Sequence, residues 1–195
     1  MAGRTKFLVF ITFVWALLVG AGSVWMTDYS SRPGQAAISP RQLPASISGM
    51  KLGRPILLLF LHPQCSCGRA TLSELARIDS DTHDLVDIRV FFYQPADQSH
   101  EWVETDVWRQ ASDISDNVMV STIAENGLRE FGTLTSGQVL LYDARGDLVF
   151  SGGITPGRGH EGDNDGEESI KSFLKSGRTD MPETLVYGCS LYTAD

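Results

Sequence analysis

Two cysteines, Cys65 and Cys67, follow the apolar run Leu57-Leu58-Leu59-Phe60-Leu61 after only His62-Pro63-Gln64, and an amphipathic segment begins at once. Backbone N–H groups at a helix start favour negative charge, so a cysteine there is biased towards thiolate, the form that attacks disulfides and binds soft metals. A free thiol titrates near about 8.5, and such settings bring it to roughly 3.5–7.5. Two buried structural thiols are the alternative; paired cysteines at a strand-to-helix junction argue against it.

Cys65 precedes the helix, whereas Cys67 lies within its first turn. Residues two apart in a regular helix project to different faces, so a Cys65–Cys67 bond requires Cys65 to stand outside it. The resulting small ring would be strained, hence easily reduced. Cys189, in Val186-Tyr187-Gly188-Cys189-Ser190-Leu191, is a second possible partner if the C-terminal stretch folds back over the body. It would then staple the tail or resolve a mixed disulfide; a buried tail thiol is the alternative. With three cysteines, one stays unpaired whichever intramolecular bond forms. His62, three residues before Cys65, has three possible roles: tuning the thiol as imidazolium, ligating a metal, or simply packing and hydrogen-bonding. Cys65, Cys67 and His62, with Cys189 as a further donor, would suit Cu(I).

Other chemically suggestive residues carry less. The acidic, glycine-rich stretch from Gly159 to Glu168, which contains His160, imitates a calcium loop, but the twelfth position counted from Glu161 is Ser172 rather than Glu. A solvated loop capping the last helix is the better expectation. His83 and His100 have polar neighbours and are expected at the surface. Arg145-Gly146-Asp147 reads as a turn, and Trp102 and Trp108 as packing residues.

The elements that must position these groups follow from periodicity. Residues 55–61 form a continuous apolar strand, buried on both faces. A helix over 67–78 carries Leu72, Leu75, Ala76 and Ile78, and a second strand spans 85–93. Strand, helix, strand with a long crossover implies a right-handed parallel pair. Helices are expected over 101–110 and 122–131, the latter ended by Gly132, with a short strand over 117–120 between them. Strands over 139–142 and 147–151 flank a hairpin turn, and a helix over 166–175 closes the order β-α-β-α-β-α-β-β-α.

Over roughly residues 51–175 the chain resembles the thioredoxin-like superfamily. The likeness rests on the strand ending in a cysteine motif with Arg69 soon after, the later strand pair around Asp143-Ala144-Arg145-Gly146, and the closing helix. The His-Pro-x-Cys-x-Cys motif and Gly152-Gly153-Ile154-Thr155 are similar to a small bacterial group labelled RedB. The resemblance implies an α/β fold, a mixed sheet flanked by helices, with thiol–disulfide exchange as its activity. It makes Cys65 the attacking nucleophile and Cys67 or Cys189 the resolving thiol. Two departures stand out: C-x-C replaces C-x-x-C, with Gly68 at the second cysteine's position, and Ser136 stands about where a cis-proline is expected.

The chain has 195 residues, 42% hydrophobic and 21% charged, with a formal charge of −8, which fits a globular body and offers nothing to nucleic acid. Residues 7–26 form a nearly unbroken apolar run behind Arg4 and Lys6, long enough to span a bilayer. The expected organisation is an anchor over 1–27, a Ser/Pro/Gly-rich linker over 28–50 and a thioredoxin-like domain over 51–195. The flanking charges place the domain on the extracytoplasmic side, the periplasmic one in a Gram-negative cell. A cleaved signal peptide is the rival, but Val24-Trp25-Met26 prolongs the run past Ala21-Gly22-Ser23. The functional expectation is a membrane-anchored thiol–disulfide oxidoreductase without cofactor, acting on protein thiols or disulfides. Its rivals are a copper chaperone and a non-catalytic interaction module.

Overall fold

The computed structural model describes residues 2–47 and 53–192. The chain divides into two units, Met1–Arg32 and Pro33–Asp195. The first is a single helix, α1 (Ala2–Ser31), long and apolar enough to cross a membrane. Its large apolar side chains are exposed all round, Phe7, Phe10, Trp15, Leu18 and Trp25 among them. A helix apolar on every side has no face to offer water and belongs in lipid or a large core.

The second unit is built on a five-stranded sheet in the order β3-β2-β1-β4-β5. Its elements are β1 (Ile56–Leu61), α2 (Gly68–Thr82), β2 (Asp87–Tyr93), α3 (Asp106–Ser112), β3 (Val118–Ile123), α4 (Glu125–Glu130), β4 (Gln138–Tyr142), β5 (Leu148–Gly152) and α5 (Asp165–Ser176). β1 pairs parallel with β2 and antiparallel with β4; β2–β3 is parallel and β4–β5 an antiparallel hairpin. This is the mixed sheet the periodicity implied. β1 is central, which explains why all six of its residues are apolar and buried. Leu57, Leu59 and Leu61 enter a core shared with Leu72, Leu75 and Ile78 of α2 and Ile170 of α5. Ile56, Leu58 and Phe60 enter a second core with Leu128, Phe131, Leu191 and Tyr192.

Two helices differ from the expectation. The helix expected over 101–110 becomes a 3-10 turn, His100–Trp102, followed by α3. The helix expected from 122 begins only at Glu125, because Thr122 and Ile123 continue β3 opposite Phe92 and Tyr93. Gly132, at φ 65°, ends α4 as expected. The stretch from Asp143 to Asp147 is a turn: Asp143 Oδ1 accepts from the N–H groups of Arg145 (2.8 Å) and Asp147 (2.9 Å).

Residues 33–47, within the stretch expected as linker, run along the body. Gly34 N donates to Val186 O at 2.8 Å, Leu43 N to Gly146 O at 2.9 Å, and Leu148 N to Arg41 O at 2.8 Å. The hydroxyl of Tyr142 donates to Pro40 O at 3.1 Å. This segment lacks periodicity because the backbone makes these bonds. Residues 48–52, where linker was expected to meet domain, lie outside the described residues.

Candidate active site: three thiols at the end of β1

The end of β1 turns sharply before α2. Cys65 N donates to His62 O at 3.0 Å, Gly68 N to Cys65 O at 3.0 Å, and Arg69 N to Ser66 O at 3.3 Å. Cys65 therefore stands outside the helix, while Cys67 occupies the position capping α2, with helical backbone angles. Thr105 Oγ1 donates to Pro63 O at 2.8 Å and ties this turn to the start of α3. Gly68 packs tightly: a side-chain carbon there would come within 3.1 Å of Val107 Cγ1 and 3.5 Å of Leu61 Cδ2. The space a C-x-x-C motif would fill with its second cysteine is taken by core.

The partner thiol arrives from the other end of the chain. Residues 182–184 run beside β5, where Ser151 N donates to Pro182 O at 2.9 Å and Thr184 N to Ser151 O at 3.3 Å. The tail then crosses to the segment before β4. Ser136 N donates to Cys189 O at 2.8 Å and Leu191 N to Leu134 O at 2.9 Å, around an antiparallel bridge between Thr135 and Ser190. Leu191 and Tyr192 are buried in the second core and anchor this crossing. Gly188 makes it possible, because a Cβ there would lie 1.8 Å from Ser136 O.

The result is a cluster. The sulfurs of Cys65, Cys67 and Cys189 all lie within 4.8 Å of one another, the only such group of metal-ligating side chains among the described residues. A hydrogen bond joins the thiols of Cys65 and Cys189, whose Sγ atoms are 3.0 Å apart. Cys65 is buried, Cys67 and Cys189 half-buried. Hydrogen bonds from Cys189 and then Cys67 hold the Cys65 thiol well below its ordinary range, against the opposing effect of burial. Cys189, sharing its proton with Cys65, is pushed well up. Cys67 is also raised: its hydrogen bond to Cys65 and its burial outweigh the lowering effects of Cys189 and the nearby Arg158 cation. The proton-poor sulfur is Cys65.

His62 is next to this cluster but outside it. Its Nδ1 accepts from Gln64 N at 3.2 Å, and its ring packs against Trp102 and Tyr93 at centroid distances of 5.5 and 6.0 Å. Burial pushes its pKa below 6.5, although the Cys65 thiolate opposes this. The lowered pKa disfavours the imidazolium form that tuning by charge would need.

Other sequence candidates sit elsewhere. His83 faces Asp79 (3.4 Å) and Asp116 (3.6 Å), and His100 faces Glu104 (3.4 Å). In the acidic loop, Asn164 caps α5 by accepting from Glu167 N at 2.8 Å, and Ser172 is inside that helix. Trp108 packs on Phe92 at 5.1 Å. Two site residues had no sequence signal as participants. Ser136 was notable only for not being proline; its hydroxyl accepts from His62 N at 2.9 Å while its N–H holds the tail. Arg158 comes from the loop before α5, far from any cysteine in sequence.

No family model matches the chain, and no curated protein does. Among solved structures it is similar to an uncharacterized conserved protein of Geobacillus kaustophilus, at TM-score 0.61 and 16% identity, over 84% of this chain and 93% of that one. It is similar to a hypothetical protein of Sinorhizobium meliloti at TM-score 0.58 and 17% identity, over 85% of this chain and 97% of that one. The exposed lipoprotein thioredoxin of Streptococcus pneumoniae aligns at TM-score 0.43 and 18% identity, over 64% of this chain and 86% of that one. With this strand order, a cysteine turn between β1 and α2, and a closing helix, the chain has a thioredoxin-like fold.

Proposed function

We propose that the protein is a membrane-anchored thiol–disulfide oxidoreductase whose working pair is Cys65 and Cys189. The observation that carries this reading is the 3.0 Å separation of their Sγ atoms, with Cys65 the proton-poor member. The Cys65 thiolate attacks one sulfur of a substrate disulfide, forming a mixed disulfide and releasing the other sulfur as a thiolate that takes up a proton. Cys189, deprotonating as it reacts, then attacks Cys65 Sγ, forms the Cys65–Cys189 disulfide and releases the second substrate thiol. The substrate gains the two electrons the cysteine pair gives up, and an external dithiol returns the pair to its reduced form.

Cys65 is buried beneath the tail, so substrate reaches it only when residues around Cys189 lift from Ser136. Cys67 takes no part in bond exchange and acts as a hydrogen-bond donor to Cys65. The apolar α1 supports an anchor, with Arg4 and Lys6 on the cytoplasmic side and the thiols in an oxidising compartment.

A dithiol-dependent assay of disulfide reduction tests the pair. Cys65→Ser should abolish turnover, Cys189→Ser should lower it by about tenfold or more, and Cys67→Ser should leave most of it. Activity that needs Cys67 and not Cys189 would replace this pair with the C-x-C one. Membrane fractionation tests the anchor: a full-length chain should stay with the membranes, and a soluble form beginning near Val24 would contradict it.

A further inference from the structure

We infer that the three thiols together form a binding site for one Cu(I) ion, with Cys65, Cys67 and Cys189 as ligands and His62 excluded. A metal held by three thiolates at about 2.3 Å in a trigonal plane sets its sulfurs about 4 Å apart. The three sulfurs here all lie within 4.8 Å of one another, and Cys65 and Cys189, at 3.0 Å, need separate by only about 1 Å to reach that spacing. The ligand set is sulfur alone, which selects soft ions. Zinc prefers four ligands in a tetrahedron, and among the described residues no fourth donor joins the group. The imidazole of His62, outside the group, has its Nδ1 accepting from Gln64 N and its ring packed against Trp102 and Tyr93. Three sulfurs without a fourth donor fit the low coordination number that Cu(I) accepts.

The fold supplies both rigidity and a way in. Cys65 and Cys67 are fixed by the turn into α2, and Cys189 is carried by the tail on two backbone hydrogen bonds to Leu134 and Ser136. The ion enters as the tail lifts and is closed over as it returns. Binding leaves copper as Cu(I). The thiols that still carry protons release them to solvent, and the Arg158 cation near Cys67 offsets part of the excess negative charge.

This site is separable from disulfide exchange because it requires the Cys67 sulfur as a ligand, whereas exchange forms no bond to that sulfur. The test is anaerobic titration of the fully reduced, full-length protein in detergent, with Cu(I) delivered by a chromophoric Cu(I) chelator that competes for it. One Cu(I) per chain is expected. Cys65→Ser, Cys67→Ser and Cys189→Ser should each weaken binding by at least about tenfold, and His62→Ala should leave it within about twofold. X-ray absorption of the wild-type complex should show three sulfur neighbours and no nitrogen. A far-UV circular dichroism spectrum and melting temperature of Cys67→Ser matching wild type would show that this variant is folded, so that its weaker binding reports a lost ligand. Absence of stoichiometric uptake, indifference to Cys189→Ser, a loss in His62→Ala equal to that in Cys67→Ser, or preferential four-coordinate zinc binding would each overturn the site. None of these outcomes bears on Cys65–Cys189 exchange, which the reduction assay reads without metal.

Discussion

The cysteine turn and the C-terminal tail bring thiols to the same point by opposite means. The turn is local: Cys65 is placed by hydrogen bonds to His62 and Gly68, within three residues either way, on the end of a fully buried central strand. The tail is non-local: Cys189 is placed by Leu134 and Ser136, more than fifty residues away in sequence. A locally built turn survives changes elsewhere in the fold, whereas a strap held by a few long-range bonds opens at lower free energy than the core beneath it. In the proposed exchange the attacking sulfur is the locally fixed one and the resolving sulfur the one on the strap, so access to Cys65 and delivery of Cys189 would be the same motion.

That contrast can be broken at the tail. Leu191 is the strap's apolar anchor, 1% exposed in the second core, and Leu191→Ala should cost about 2–5 kcal/mol. Denaturant unfolding would measure the cost, and alkylation of Cys65 in the still-folded variant should speed up as the strap loosens. Gly188→Ala places a Cβ 1.8 Å from Ser136 O, which backbone cannot accommodate without moving. The expected result is a loss of about 1–3 kcal/mol and slower closure of the Cys65–Cys189 bond, followed by quenching oxidation time points with an alkylating agent.

The two regions meet at Ser136, whose hydroxyl serves the turn and whose N–H serves the tail. Ser136→Ala removes the acceptor for His62 N but keeps the backbone N–H that holds Cys189 O. It should cost about 1–2 kcal/mol and perturb the turn more than the tail, visible as faster amide exchange at His62 than at Leu191.

The smallest effect lies on the far side of α2. Glu74 is fully buried, and burial is the main reason its pKa is raised above 4.5, with Glu167 adding to the shift and Gly162 N and Arg77 opposing it. The folded chain then binds this proton more tightly than the unfolded one, so its contribution to stability falls as pH rises from 4.5 through the raised value. Glu74→Gln should flatten that part of the melting-temperature profile, an effect of about 1 kcal/mol or less, with no change in Cys65 chemistry.

The same contrast decides what could be read from the sequence. The buried central strand, the α2 stripe and the hairpin were legible because each is set by local pattern: a continuous apolar run, a helical period, an Asp-x-x-Gly turn. Cys65 and Cys67 were legible for the same reason. Cys189 was visible as a possible partner if the tail folded back, but the path of the tail was not, since residues 182–192 carry no periodicity and are held by backbone bonds to distant segments. Ser136 and Arg158 were illegible as site residues, because their roles arise only from that long-range assembly. Thr122 and Ile123 misled for a related reason: pairing with β2 overrode their fit to a helix.

If Cys65 and Cys189 are the redox pair, oxidation joins these two sulfurs, and disulfide mapping of the oxidised protein reads that bond. After equilibration in a thiol–disulfide buffer and acid quenching, digestion at Arg69 and Arg178 separates Cys189 from the peptide that contains both Cys65 and Cys67. The expected product is a cross-linked species joining the two peptides, with fragmentation placing the bond at Cys65 and Cys67 recovered as a free thiol. An uncross-linked tail with Cys189 free, and a disulfide closed within the Cys65-Ser66-Cys67 peptide, would contradict it.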